Sequence, residues 1–243
     1  LPKWPFDKFV YAKRNLGTQM KATGEVMGIG TTFEEALMKA VRGAEIGRDT
    51  LTMPALTQAT PEELATKLDD CDDQRLFAVY AAIKAGVSLD IIYEKTKIDR
   101  WFLAKLRHLA ETEQRLLTEP LDDELYHSAR QLGFLNGTIE KLSGQKIQAP
   151  TYPVYRMVDT CAAEFRAETP ACEGENEAAE FLASRPESRR TVVVFGAGPI
   201  RIGQGIEFDY ASVHCVWSLR KCGYDVVIVN NNPETVSTDF DTA

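Results

Sequence analysis

The sequence predicts a mixed fold. A nearly all-helical middle is flanked by a short strand-and-helix segment on one side and an incomplete, Rossmann-like α/β unit on the other. Three observations carry this expectation. Between about Thr50 and Ala171, apolar residues recur at helical spacing in short blocks separated by capping residues and glycines. Beyond residue 190, an apolar run, a glycine-rich loop, a helical stretch and a second apolar run follow one another as a β-α-β unit. Between these regions lies "ACEGENEAAEFLASRPESRR", polar, Glu-rich and broken by Pro186, the best linker in the chain. The boundaries we expect are 1–49, 50–172, a linker at 173–190, and 191–243.

In the first segment, "GEVMGIG" (Gly24–Gly30) is a short apolar run bracketed by glycines and reads as a buried strand. In "TTFEEALMKAVRGAEIG", Thr31 or Thr32 can cap a helix, with Glu34 or Glu35 completing a capping box. Phe33, Leu37, Ala40 and Val41 give that helix an apolar face. The chain opens abruptly on "LPKWPFDKFVYA", read as an exposed strand, so we expect a segment upstream of it.

The middle segment has the clearest local signals. Thr60-Pro61-Glu62-Glu63 supplies a cap, a proline at the first helical position and a glutamate at the third. "DDQRLFAVYAAIKAG" ends at Gly86, and Leu76, Phe77, Val79, Tyr80 and Ile83 cover most of its circumference, so it is expected to be central and buried. Ser88 caps "LDIIYEKT". The long stretch "IDRWFLAKLRHLAETEQRLL" puts Ile98, Phe102, Leu106 and Leu109 on one stripe, and two shorter helices, each followed by glycine, complete a compact bundle. Asp99-Arg100 beside Trp101 is read as a solvated pair at a helix start. His108, His127 and His214 have no metal-ligand spacing and are read as structural or solvated.

In the third segment, strands are expected at Thr191–Phe195 and Asp225–Val229, with a helix near Glu207–Cys222 and Gly223 just past its end. A parallel pair needs neighbours to bury it, and the chain stops at Ala243, so the unit reads as incomplete. The four loop glycines, Gly196, Gly198, Gly203 and Gly205, invite a phosphate-binding reading. The dinucleotide register fails, because Arg201 or Phe208 stands where its third glycine belongs. The second strand also ends in "NNNPET", with no acid for a ribose. In the Walker register, Gln204-Gly205 replaces the lysine and hydroxyl. Glu207 and Asp209 would further compete with any anion for the helix N-terminus.

Composition narrows the classes. The 243 residues are 44% hydrophobic and 26% charged with net charge −8, which argues against a nucleic-acid surface. No apolar run approaches the roughly 18 residues that span a bilayer. Five cysteines without C-x-x-C spacing speak against a disulfide framework or zinc site, and fit a reducing cytoplasm.

"GAGPIRIGQGIEFDY" together with "VVIVNNNPETVSTDFDT" resembles the opening of the second synthetase half of carbamoyl-phosphate synthetase, large subunit. "MKATGEVMGIGTTFEEALMKAVRG" is similar to the end of that family's first ATP-grasp half, and "IDRWFLAKLRHL" and "YRMVDTCAAEF" to its oligomerisation domain. The resemblance implies that 1–49 ends the carboxyphosphate-forming ATP-grasp domain, that 50–172 is the oligomerisation domain, and that 191–243 is a pre-ATP-grasp unit. It implies a parent ligase making carbamoyl phosphate from bicarbonate, glutamine-derived ammonia and two ATP, for arginine or pyrimidine biosynthesis or both. Its partners would be a glutamine amidotransferase subunit or domain and a second copy through the helical domain. ATP and Mg or Mn would be held outside this chain, with no catalytic or metal ligands expected within it. By the same resemblance Glu25, Glu207 and Glu234 line a carbamate passage between active sites. The runner-up reading is a helical self-association module without activity. One departure stands out: after "CAAEF" the family's aromatic stretch is replaced by the shorter "RAETPACEGENE".

Overall fold

The computed structural model describes residues 1–6, 8–22, 24–148, 150, 177–185, 190–201, 203–232, 235–239 and 242. They fall into two units, Leu1–Gln148 and Ala149–Ala243.

The first unit is a helical bundle with a small ribbon at its start. β1 (Pro2–Lys3) pairs antiparallel with β2 (Gly24–Glu25), Pro2 opposite Glu25. The strand expected over Gly24–Gly30 is therefore only two residues long. Val26 is buried, and the rest of the run lies against α1 (Phe33–Gly43). A Cβ on Gly28 would overlap the Ala36 carbonyl oxygen, and one on Gly30 would stand 2.7 Å from the Ala36 nitrogen. These glycines serve close backbone approach to a helix rather than a sheet ladder. The opening strand is likewise only β1, and Phe9, Val10 and Tyr11 beyond it are exposed.

The anticipated caps form, with one variation. At α2 (Pro61–Lys67) the box is reciprocal: Thr60 Oγ1 accepts the Glu63 N–H at 3.2 Å, and the Glu63 carboxylate accepts the Thr60 N–H at 2.8 Å. At α1 it is split over two threonines. Thr32 Oγ1 accepts the Glu35 N–H, while the Glu35 carboxylate takes the Thr31 N–H at 2.8 Å. α3 (Arg75–Lys84) ends before Gly86, whose φ of +85° only glycine adopts without strain. Ser88 caps α4 (Leu89–Thr96), and Asp99 caps α5 (Arg100–Thr118) through the Trp101 N–H. α6 (Asp123–Gln131) and α7 (Asn136–Ser143) follow. Arg100 pairs with Asp90 and lies over the Tyr93 ring at 3.8 Å, so the Asp99-Arg100 pair is accounted for by capping and packing.

The core is built on α3 and α5, with Val79, Tyr80, Leu103, Leu109 and Leu116 nearly inaccessible. α1 contributes Met38 and Val41 to the same core. Of the stripe expected on α5, Leu106 and Leu109 are buried; the buried face also takes in Leu103, Ala110, Glu113 and Leu116, whereas Phe102 is 43% exposed. Phe102 stands to one side of that stripe, where it packs with Phe33 and Trp101 at centroid distances of 5.3 and 5.0 Å.

In the second unit, β3 (Thr191–Phe195) and β4 (Asp225–Val229) pair in parallel, Thr191 opposite Asp225 through Phe195 opposite Val229. A short helix, α8 (Glu177–Ala183), precedes them, and α9 (Ile206–Lys221) crosses between them, with Val213 and Val216 buried. Gly223 ends α9 at φ +84°. Its N–H bonds to the Arg220 carbonyl and that of Tyr224 to the Leu219 carbonyl, the paired bonds of a Schellman motif. Val193 and Phe195 remain exposed on the two-stranded sheet.

Candidate functional site

The carboxyl ends of parallel strands and the N-terminus of the following helix form the usual ligand crevice of an open α/β sheet. Here that crevice is built from Gly196–Gly205, the first turn of α9 and the residues after β4. Its four glycines answer two different needs. Gly198 and Gly203 have φ of +72° and +76°, where other residues are strained. Gly196 and Gly205 have ordinary backbones; Gly196 is small for want of room, while Gly205 faces only the movable tip of the exposed Glu207 side chain. A Cβ on Gly196 would stand 2.5 Å from Nδ2 of Asn230, and one on Gly205 would overlap the Glu207 carboxylate. The space that a phosphate cradle would leave open is lined by the protein's own amide and carboxylate.

The centre of this arrangement is Asp209, only 3% exposed. Its carboxylate accepts the Ser237 N–H at 2.7 Å, the Ser237 hydroxyl at 2.8 Å and the Asn230 amide at 3.1 Å. The same Asn230 nitrogen lies 2.9 Å from Thr235 Oγ1, and Asn230 Oδ1 accepts the Asn232 N–H at 3.1 Å. Neutral donors thus satisfy a buried charge, as burial requires. The Ser237 N–H, which could have met an anion, is already committed. With Gln204 and Gly205 in the positions of the Walker lysine and hydroxyl, these residues do not fit a phosphate cradle.

The sequence-derived acids are placed as follows. Glu207 is exposed in the first turn of α9, its carboxylate folded over Gly205. Glu25 is exposed at the end of β2, in the other unit. Glu234 lies outside the described residues. The acid that sequence reasoning passed over is Asp209. It stood out only as a first-turn acid, and its partners lie 21 and 28 residues further on.

The helical unit holds three buried carboxylates of its own, Glu34, Glu35 and Glu113. Glu113 accepts the Tyr80 hydroxyl and the Thr52 hydroxyl, each at 2.7 Å, and Lys84 Nζ at 3.0 Å. Burial, and then the Glu113 charge and hydrogen bond, push the Tyr80 hydroxyl far above its ordinary pKa. Glu34 lies 3.0 Å from His108 Nδ1 and 3.3 Å from Lys105 Nζ. Burial raises its pKa, but the hydrogen bonds from His108, its own backbone N–H and Lys105 outweigh that and hold the carboxyl below its ordinary value. His108 therefore joins α5 to α1. His214 stacks edge-on between Tyr210 and Trp217, and His127 against Tyr126. Among the described residues no group of three or more His, Cys, Asp or Glu could hold a metal ion, and no helix is long and apolar enough to cross a membrane. Cys71, Cys215 and Cys222 are free and exposed; Cys161 and Cys172 lie outside the described residues.

Fold and site together define a class: a helical bundle with a Rossmann-like β-α-β unit whose glycine loop is filled by its own polar side chains. Residues 25–152 match the family described as "Carbamoyl-phosphate synthetase large chain, oligomerisation domain", and residues 188–243 the "Carbamoyl phosphate synthase preATP-grasp domain". The chain is 48% identical over 256 residues to the carbamoyl phosphate synthase large chain of Lachnoclostridium phytofermentans, covering 100% of this chain and 24% of that protein. It is 49% identical over 255 residues to the carbamoyl phosphate synthase large chain of Agathobacter rectalis, covering 100% and 23%. The chain belongs to the carbamoyl-phosphate synthetase large-chain family. It spans about a quarter of the length of these curated relatives. The alignments run longer than the 243 residues of this chain, so the relatives carry residues that it lacks.

Proposed function

We propose that this chain is the central part of a glutamine-dependent carbamoyl-phosphate synthetase large subunit. The whole protein makes carbamoyl phosphate from bicarbonate, ammonia released from glutamine by an amidotransferase partner, and two ATP. It serves arginine or pyrimidine biosynthesis, or both, in the cytoplasm. Residues 50–172 supply self-association, 1–49 end the first ATP-grasp half, and 191–243 begin the second. ATP and its Mg or Mn are held by other parts of the full-length protein. The observation that carries this reading is the match over the whole chain, with the two domain families in order.

Within that frame, Glu25, Glu207 and Glu234 line the route of carbamate between the active sites. The exposed Glu207 carboxylate, kept over a glycine at the mouth of the crevice, supports this for its own position. In the full-length enzyme, Glu207→Gln is expected to reduce carbamoyl-phosphate output more than bicarbonate-dependent ATP hydrolysis. Equal loss of both would overturn the passage reading.

A second reading, self-association as this chain's own behaviour, is favoured by the aromatic cluster of Phe33, Trp101 and Phe102. Trp101 is 52% exposed and Phe102 43%, an apolar surface suited to a partner. Sedimentation of the 243-residue chain should show a dimer or larger species; a monomer at high concentration argues against this role.

A further inference from the structure

We propose that Asp209 is a positioning residue for the inter-site passage, holding the first turn of α9, and with it Glu207, in place; this rests on the passage reading above. A first-turn acid that only complements the helix dipole has no need of burial, and Glu207 in the same turn is exposed. Asp209 is buried and makes three hydrogen bonds that all leave its own helix. Through Ser237 it fixes the short 3₁₀ turn Val236–Thr238, and through Asn230 it fixes the residue that follows β4. The Asn230 amide in turn occupies the room above Gly196, at the end of β3. One carboxylate therefore joins the carboxyl ends of both strands to the helix that carries Glu207. The chain between Asn232 and Thr235, in which Glu234 falls by sequence, has the residues of this clasp on either side.

Asparagine at 209 keeps the size of the side chain but replaces one acceptor oxygen with an N–H₂ donor. Either the Ser237 N–H, on Oδ2, or the Asn230 amide and the Ser237 hydroxyl, on Oδ1, would then face a donor. The exchange Asp209→Asn with Asn230→Asp restores one donor and one acceptor across the pair and leaves an oxygen for the Ser237 N–H. That exchange separates positioning from mere presence of a charge.

The test is carried out on the full-length synthetase, reading carbamoyl phosphate formed per ATP consumed alongside bicarbonate-dependent ATP hydrolysis. Asp209→Asn is expected to lower the yield per ATP by roughly tenfold, as a misplaced first turn would, with bicarbonate-dependent hydrolysis retained. The double exchange should recover most of that yield. An unchanged yield in Asp209→Asn, an equal fall in both activities, or an exchange that recovers nothing would each overturn the proposal. If Asp209→Asn does not fold, Ser237→Ala removes the hydroxyl's bond to Asp209 together with its contacts to Asn230 Nδ2 and Thr235 Oγ1 but keeps the Ser237 N–H bond, and a loss of about threefold in yield is expected; no loss overturns the proposal. Glu207→Gln in parallel keeps the two ideas apart. Loss in Glu207→Gln but not in Asp209→Asn defeats the positioning role alone, and the reverse pattern defeats the role of Glu207 in the passage.

Discussion

Each unit contains a buried carboxylate that organises its surroundings, and the two are satisfied in different ways. Glu113, in the middle of α5, meets one cation and two hydroxyls, and ties α5 to α3 and to Thr52 inside a packed core. Asp209, at the start of α9, meets only neutral N–H and O–H donors, and ties a helix to the segment after a strand. The first arrangement sets a buried carboxylate against a lysine that still reaches water, where only packing is at stake. The second keeps an uncompensated negative charge beside the crevice, among directional bonds that fix loop geometry. Stability is concentrated at the first and precision at the second.

The comparison can be broken most directly at Glu113. Glu113→Ala strands Lys84 and leaves the Tyr80 hydroxyl buried without its acceptor. Lys84 can still reach water, so we expect a loss of about 3 kcal/mol, at the lower end for a broken buried pair, read by denaturant unfolding. A loss below about 1 kcal/mol would show that Glu113 is no stronger a node than a surface pair. Gly196→Ala tests the second unit: its Cβ would push the Asn230 amide off Asp209, at a cost of about 1–3 kcal/mol. If crowding alone were responsible, removing the Asn230 side chain as well should fully restore stability; loss of the clasp predicts that it does not.

A smaller effect is expected from Thr60→Ala, about 1 kcal/mol, because both bonds of its box are local and exposed. Thr32→Ala should cost about as much, since each substitution removes one Oγ1 acceptor at 3.2 Å and leaves the glutamate carboxylate on its backbone N–H. Thermal unfolding of the two variants checks that the losses match. The smallest effect is a slope confined to acid. Glu34 has a native pKa below its unfolded value, so the unfolded chain binds its proton first. Its contribution is complete above the ordinary glutamate pKa, about 4.3, and declines as pH falls through the lower native value. Wild type and Glu34→Gln should therefore differ by a constant at neutral pH and converge in acid; a difference that grows on acidification would contradict the assigned direction.

Much of the helical unit was legible in the sequence because its signals are local. Thr60, Ser88 and Gly86 act within a few residues of themselves, and each stands at the end of a helix as expected. The α5 stripe was misjudged by one position around Phe102, since periodicity gives a face but not which neighbour covers its edge. The ribbon was overcalled because Gly28 and Gly30 serve contact with α1, and contact with a helix leaves the same glycines in the sequence as a strand end. In the crevice, the sequence reading set a glycine count like that of a phosphate loop against the missing lysine and hydroxyl, yet Asp209 went unassigned beside the more conspicuous Glu207.

The sequence by itself determined the helices of the bundle, their caps, the parallel β-α-β unit and the family. These follow from hydrogen bonds and side-chain periods spanning one or two turns, or from residue order shared with relatives. Only the tertiary structure decided which acids are buried, since that depends on donors brought from far along the chain: Tyr80 and Thr52 for Glu113, Ser237 and Asn230 for Asp209. A carboxylate reads the same in a sequence whether water or a serine N–H receives it. Folding supplies the donor, and with it the difference between a solvated charge and a fixed joint.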